Sequence, residues 1–193
     1  MNFDEEIIKK SFGSKVRYGI VHGNENIVFI KSGSGGSNKG RGDKYLKMAQ
    51  KLRERLGATV ICASNPVDDR ETDEEMIREV ISKRGFAQFK MYFVGSSDGG
   101  YQNLVLASQF PETVKFLGIN TSCNQLPDFE KVIKKLPDVE KIFVYGTKDW
   151  QYKSIVPFLK QVDFENFQLM EVEGVDHDFT GRIDEVVSLV DML

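Results

Sequence analysis

Lys90-Met-Tyr-Phe-Val-Gly-Ser-Ser-Asp-Gly-Gly-Tyr101 is the stretch whose reading decides the fold. Met91 to Val94 is a short apolar run of the kind that forms a buried strand, and the residues after Gly99 continue in a helical pattern. Between them stands Gly95-Ser-Ser-Asp-Gly99, a G-x-S-x-G sequence placed where a strand turns sharply into a helix. Such a turn lifts one serine hydroxyl, that of Ser97, out of the fold. It holds the serine in a strained backbone conformation, and side chains at positions 95 and 99 would collide with the turn.

Working outward, the chain alternates strands and helices. Residues 1–12 are expected to form a short amphipathic lead-in with a turn or two of helix. Lys15 to His22 and Ile27 to Ile30 flank the polar Asn24-Glu25-Asn26, which predicts an antiparallel hairpin. Ser32 to Gly42 is a loop almost without side chains. A helix follows, with Tyr45, Met48, Ala49, Leu52 and Leu56 on one face and Gly57 as its stop. Ala58 to Ala63 reads as a strand covered on both faces. Thr72-Asp-Glu-Glu75 resembles a capping box before a helix that turns Met76, Ile77, Val80 and Ile81 inward.

Beyond the serine turn, a helix through Leu104 and Ala107 ends near Pro111, and Val114 to Asn120 is the next strand. A helical piece lies within Pro127 to Leu136. Lys141 to Gly146 is a strand, Tyr152 to Val162 a helix, Phe167 to Val172 the last strand, and Ile183 to Leu193 the closing helix. This order implies an α/β fold, a mostly parallel sheet with helices on both faces, within a single domain spanning 1–193. Ligands of such sheets sit beyond the carboxyl ends of the strands, so function is expected in the loops that follow them.

Composition narrows the class. The 40% hydrophobic and 28% charged fractions are ordinary for a globular protein, and the net charge is −3 with lysine and arginine dispersed. Neither nucleic acid nor an anionic membrane surface is an expected partner. Nothing approaches eighteen uninterrupted apolar residues, and the N-terminus is acidic where a signal peptide would be basic. Cys62 and Cys123, the only cysteines, read as reduced thiols, which with the missing leader predicts a cytoplasmic protein. Two cysteines and two histidines at these spacings do not make a zinc site, and neither a metal nor another cofactor is expected.

The strand-end loops hold Ser97, then Gly146-Thr-Lys-Asp149, then Val175-Asp-His177. With these residues the chain resembles the α/β-hydrolase superfamily from about Val16 to the C-terminus. Gly95 to Gly99 looks like the nucleophile elbow, Asp149 stands in the acid loop after the penultimate strand, and His177 in the histidine loop after the last one. Serine, aspartate, histidine is the order that family uses. The resemblance implies that Ser97 is the nucleophile, His177 its base and Asp149 the group that orients the imidazole. A serine hydroxyl needs a base during attack, and a neutral histidine near pKa ~6.5 suits that task. The oxyanion donors would be the backbone N–H groups of Ser34 and Asp98. Many relatives start the first of these loops with His-Gly, where this chain has Ser32-Gly33. Cap domains in the family are usually inserted after the strand that here ends near Asn120. The stretch 121–140 is too short for one, so an open site with no cap domain is expected.

The implied activity is a serine hydrolase acting on a small-molecule acyl substrate, a carboxylic ester first. Thioester and amide cleavage use the same groups, and a non-catalytic binding protein on this fold is the other alternative. Other readings compete at single positions. Asp98 suits the first turn of a helix, where an acidic side chain is favoured. Gly35-x4-Gly40-Arg41-Gly42 lacks the lysine and hydroxyl of a P-loop, and Asn38 spoils a dinucleotide fingerprint. Cys123 reads as a small buried thiol. Trp150, Tyr152, Tyr101 and Phe179 are candidates to line an apolar pocket. Lys39, Arg41 and Lys148 are either attractors of an anion or a solvated rim.

Overall fold

Side-chain alternation along the strands sorts the molecule into two cores on either side of one eight-stranded sheet, in a computed structural model that describes residues 1–193. The strands are β1 (Glu5–Ser11), β2 (Ser14–Val21), β3 (Asn24–Lys31), β4 (Ala58–Ala63), β5 (Lys90–Ser96), β6 (Thr113–Ile119), β7 (Glu140–Gly146) and β8 (Phe167–Val172). Their order across the sheet is β1-β2-β4-β3-β5-β6-β7-β8. From β4 onward every pairing is parallel, while β1–β2 and β2–β4 are antiparallel.

The helices are α1 (Lys44–Leu56), α2 (Arg70–Arg84), α3 (Asp98–Ala107), α4 (Leu126–Lys134), α5 (Tyr152–Gln161) and α6 (Ile183–Ser188). One face of the sheet carries Val28, Ile30, Val60, Val94, Leu117 and Val144 against α1 and α6. The other carries Ile27, Phe29, Phe93, Phe116, Phe143 and Tyr145 against α2, α3, α4 and α5. Covering both faces demands near-continuous apolar strands, and all six residues of β4 are buried accordingly. The 121–140 stretch holds only α4, and no separate cap stands over the strand ends.

Three expectations need correction. Residues 5–11 form an edge strand rather than a lead-in helix. The first hairpin joins β1 to β2, through Phe12 and Gly13 at φ 44° and 78°, a turn whose twist matches that of paired strands. Strands β2 and β3, expected to pair, are separated by β4. Finally, α2 starts before Thr72: Asp69 is its cap, accepting the Thr72 N–H at 3.1 Å.

Candidate active site

The carboxyl ends of β3, β5, β6, β7 and β8 converge on one side of the sheet, and the loops leaving them build the site. Ser97 sits between β5 and α3 with φ 55° and ψ −128°, a conformation that costs free energy for any residue but glycine. Close packing fixes it there. A Cβ on Gly95 would lie 2.4 Å from the Gly100 Cα, and one on Gly99 would lie 2.1 Å from the Ser32 carbonyl oxygen. Gly99 is therefore required by the glycine loop as well as by the turn itself.

Ser97 Oγ lies 2.9 Å from His177 Nε2, and His177 Nδ1 is hydrogen-bonded to the Asp149 carboxylate. The structure thus brings together three residues that the chain separates widely. Asp149 is buried, and its other oxygen accepts the Gln151 N–H at 2.6 Å. Since the carboxylate accepts from Nδ1–H, Nε2 is left as an acceptor for the Ser97 hydroxyl proton. His22, the other histidine, is at the far end of the sheet because β2 runs against its neighbours, and it faces Glu5 at 3.7 Å.

Three side chains not assigned from sequence complete the arrangement. Ser122 Oγ is 2.9 Å from Ser97 Oγ, and its N–H donates to the Ser97 carbonyl at 3.0 Å. With the Ser97 proton directed to His177, the Ser122 hydroxyl is the donor toward Ser97. Asn120, buried and at φ 46°, ties three strand ends together. Its Nδ2 donates to the carbonyl of His177 at 2.9 Å, and its Oδ1 accepts the Gly146 N–H at 2.8 Å. Asn65, from the loop after β4, braces the glycine loop: Nδ2 donates to the Ser32 carbonyl at 3.1 Å, and its backbone pairs with Gly35 and Gly36. That bracing holds the start of the loop, Ser32-Gly33, in place. The residue type at each position carried the only signal, since an asparagine at a strand end tolerates φ > 0.

Of the two backbone N–H groups expected to meet an oxyanion, that of Asp98 follows Ser97 in the chain and that of Ser34 belongs to a residue lining the same cavity. Asp98 opens α3, so its N–H has no intrahelical acceptor. The Ser34 N–H makes no backbone hydrogen bond, in a loop whose Gly33 would place a Cβ 3.0 Å from the Ser97 Cβ. The Asp98 carboxylate is engaged elsewhere, accepting from Gln102 Nε2 at 2.6 Å, which suits its place in the first helical turn.

No family model matches the chain, and no curated protein matches it. Solved structures do. Est1E from Butyrivibrio proteoclasticus superposes with a TM-score of 0.70 at 14% identity, covering 97% of this chain and 96% of that one. An alpha-beta serine hydrolase homologue from Coxiella burnetii gives 0.71 at 16%, covering 98% and 97%. Dienelactone hydrolase from Anabaena variabilis gives 0.67 at 18%, covering 97% and 95%. The chain has the α/β-hydrolase fold.

On this α/β-hydrolase fold the cavity beside Ser97 holds about 250 Å³ and is lined mostly by glycine, polar and charged residues, not by the expected aromatic side chains. Its single hydrophobic lining residue is Tyr45, whose pKa burial pushes up to about 12, against hydrogen bonding to Ser96. Of the four aromatic candidates only Trp150 approaches the site, its ring centroid 5.9 Å from that of His177 and its surface 70% exposed. Tyr101 packs on Phe129, Phe179 is buried in the α1 core, and Tyr152 bonds Glu171. Burial pushes the Cys123 thiol up to about 11, which disfavours the thiolate. No helix is long and apolar enough to cross a membrane.

Proposed function

We propose that the protein is a serine hydrolase that cleaves a small carboxylic ester through an acyl-enzyme on Ser97. The observation that carries this reading is the 2.9 Å contact between Ser97 Oγ and His177 Nε2, with Asp149 on the opposite ring nitrogen. The names of two structural neighbours, serine hydrolase homologue and dienelactone hydrolase, point the same way. Ser97 Oγ attacks the ester carbonyl as His177 Nε2 takes its proton, and the oxyanion is met by the N–H groups of Ser34 and Asp98. His177 then gives the proton to the departing alcohol as the C–O bond breaks. Water repeats the sequence on the acyl-enzyme: its proton passes to His177 and then to Ser97 as the acid is released. A cavity of about 250 Å³ favours a small acyl group, since drug-sized ligands need ~300–1,000 Å³.

A fluorophosphonate probe with peptide mapping tests the reading. Ser97 should carry the label, and Ser97→Ala should carry none and turn over no short-chain ester. Labelling at any other residue, or full turnover by Ser97→Ala, would falsify it.

A further inference from the structure

The cavity beside Ser97 is lined by a lysine whose charge has no hydrogen-bond or ion-pair partner. Lys44, the first residue of α1, is 8% exposed, yet its ammonium makes no hydrogen bond and no ion pair. Other lysines as buried as this one are satisfied: Lys31 pairs with Asp73 at 2.6 Å, and Lys141 donates to the carbonyl of Val139 at 2.6 Å. The Lys44 side chain lines the Ser97 cavity, with Nζ 5.1 Å from the centre of the Tyr45 ring. Room for it is made by Gly40, where a Cβ would lie 2.9 Å from the Lys44 Cγ.

Local physics disfavours a cation here three times over. Its side chain is largely desolvated, it sits at the positive end of a thirteen-residue helix, and it has no ion-pair partner. Burial draws its pKa down, with Asp178 opposing and Arg41 adding to the effect. A residue that breaks several local rules at once, beside a reactive serine, belongs to function rather than to folding.

Two cations, Lys44 and exposed Arg41, and one exposed carboxylate, Asp178, line this cavity together with the His177 ring. The balance is one positive charge, which suits a monoanion. Lys39, from the same loop, does not contribute: its ammonium is directed at Glu6 and the Phe3 ring.

We propose that the substrate is a small ester bearing a carboxylate, which Lys44 holds from the buried side of the Ser97 cavity while Arg41 closes over it from the rim. The proposal rests on the hydrolase reading for its chemistry and adds the substrate class. A charge-assisted contact of this kind, formed where water is scarce, is worth about 10- to 100-fold in affinity.

Titration calorimetry on the Ser97→Ala protein, with monomethyl succinate and dimethyl succinate as probes, separates the two ideas. The monoanion should bind at least ~10-fold more tightly than the diester. Adding Lys44→Met should erase that difference, and Lys39→Met, which removes the same charge from the loop just before α1, should keep it. Asp178→Asn at an exposed position should tighten the monoanion further by lifting repulsion, and no tightening counts against the placement. Equal binding of the two probes, or a difference that survives Lys44→Met, overturns the proposal. If the native protein labels at Ser97 and cleaves both esters equally well, the anion site falls and the hydrolase stands. If the monoanion binds through Lys44 but native protein cleaves neither ester, the hydrolase falls and the anion site stands.

Discussion

Two clusters of buried polar groups lie at the same end of the sheet, on opposite faces, and they are built to opposite rules. Beneath α2, Lys31 ends β3 and is closed off: its ammonium meets Asp73 at 2.6 Å, and Asp73 also accepts from the Tyr18 hydroxyl at 2.8 Å. All three are at most 1% exposed. On the α1 face, Ser97, His177 and Lys44 border a cavity, and Lys44 has neither a hydrogen bond nor an ion pair, only the Tyr45 ring beside its ammonium. The closed cluster satisfies its charges internally and has nothing left to offer a ligand. The open one leaves a serine hydroxyl, an imidazole and a cation facing the same small space. Burial of charge alone therefore says little about function; what distinguishes the two is whether the valences are filled.

The sharpest way to break this contrast is to remove one group from each side and compare activity with stability. Ser97→Ala should lose turnover of a short-chain ester by up to ~10⁶-fold, with a melting temperature close to that of the native protein. Asp73→Ala should do the reverse. It strands a buried ammonium, at a cost of about 3–5 kcal/mol, and should lower Tm by roughly 6–20 °C in a thermal melt. Pairing Lys31→Met with Asp73→Asn should recover most of that loss. If Asp73→Ala melts like the native protein, the closed cluster is not a stability element and the contrast fails.

Asn120→Ala tests the bracing behind the open cluster. It frees the Gly146 N–H and the His177 carbonyl, and should lower kcat by about 100-fold with little change in KM, because the histidine loop drifts from Ser97. An equal rise in KM would point to damage of the cavity wall instead. The smallest effect is the most pointed. Lys44→Met should leave Tm unchanged or raise it by a few degrees, since it removes a largely desolvated charge that has no ion pair. A clear fall in Tm would mean that Lys44 has a structural partner after all and belongs with Lys31.

Much of this was legible in the chain because it depends on local constraint. The elbow needs small residues at fixed offsets, and β4 and β8 have the boundaries that their composition sets. The acid and histidine loops were marked by following strands to their ends. What escaped depends on partners distant in sequence. Edge strand β1 keeps charged residues on both faces, so Ile7 and Ile8 look like part of a helical lead-in. The crossing of β2 over to β4 leaves no trace in either strand alone. Asn65, Asn120 and Ser122 are ordinary loop residues until folding brings their partners near. Lys44 is the extreme case, since a lysine in the first turn of a helix reads as solvated, and only the packing of Tyr45 and the glycine loop makes it buried.

Trp150 is the one tryptophan in the chain, and its ring stands 5.9 Å from that of His177. An imidazolium quenches indole emission where a neutral imidazole does so weakly. Indole emission therefore comes from a single site, and that site borders His177. Excited at the red edge of its absorbance, the protein gives an optical trace of the charge on His177, read in solution without a dye, a label or a mutation.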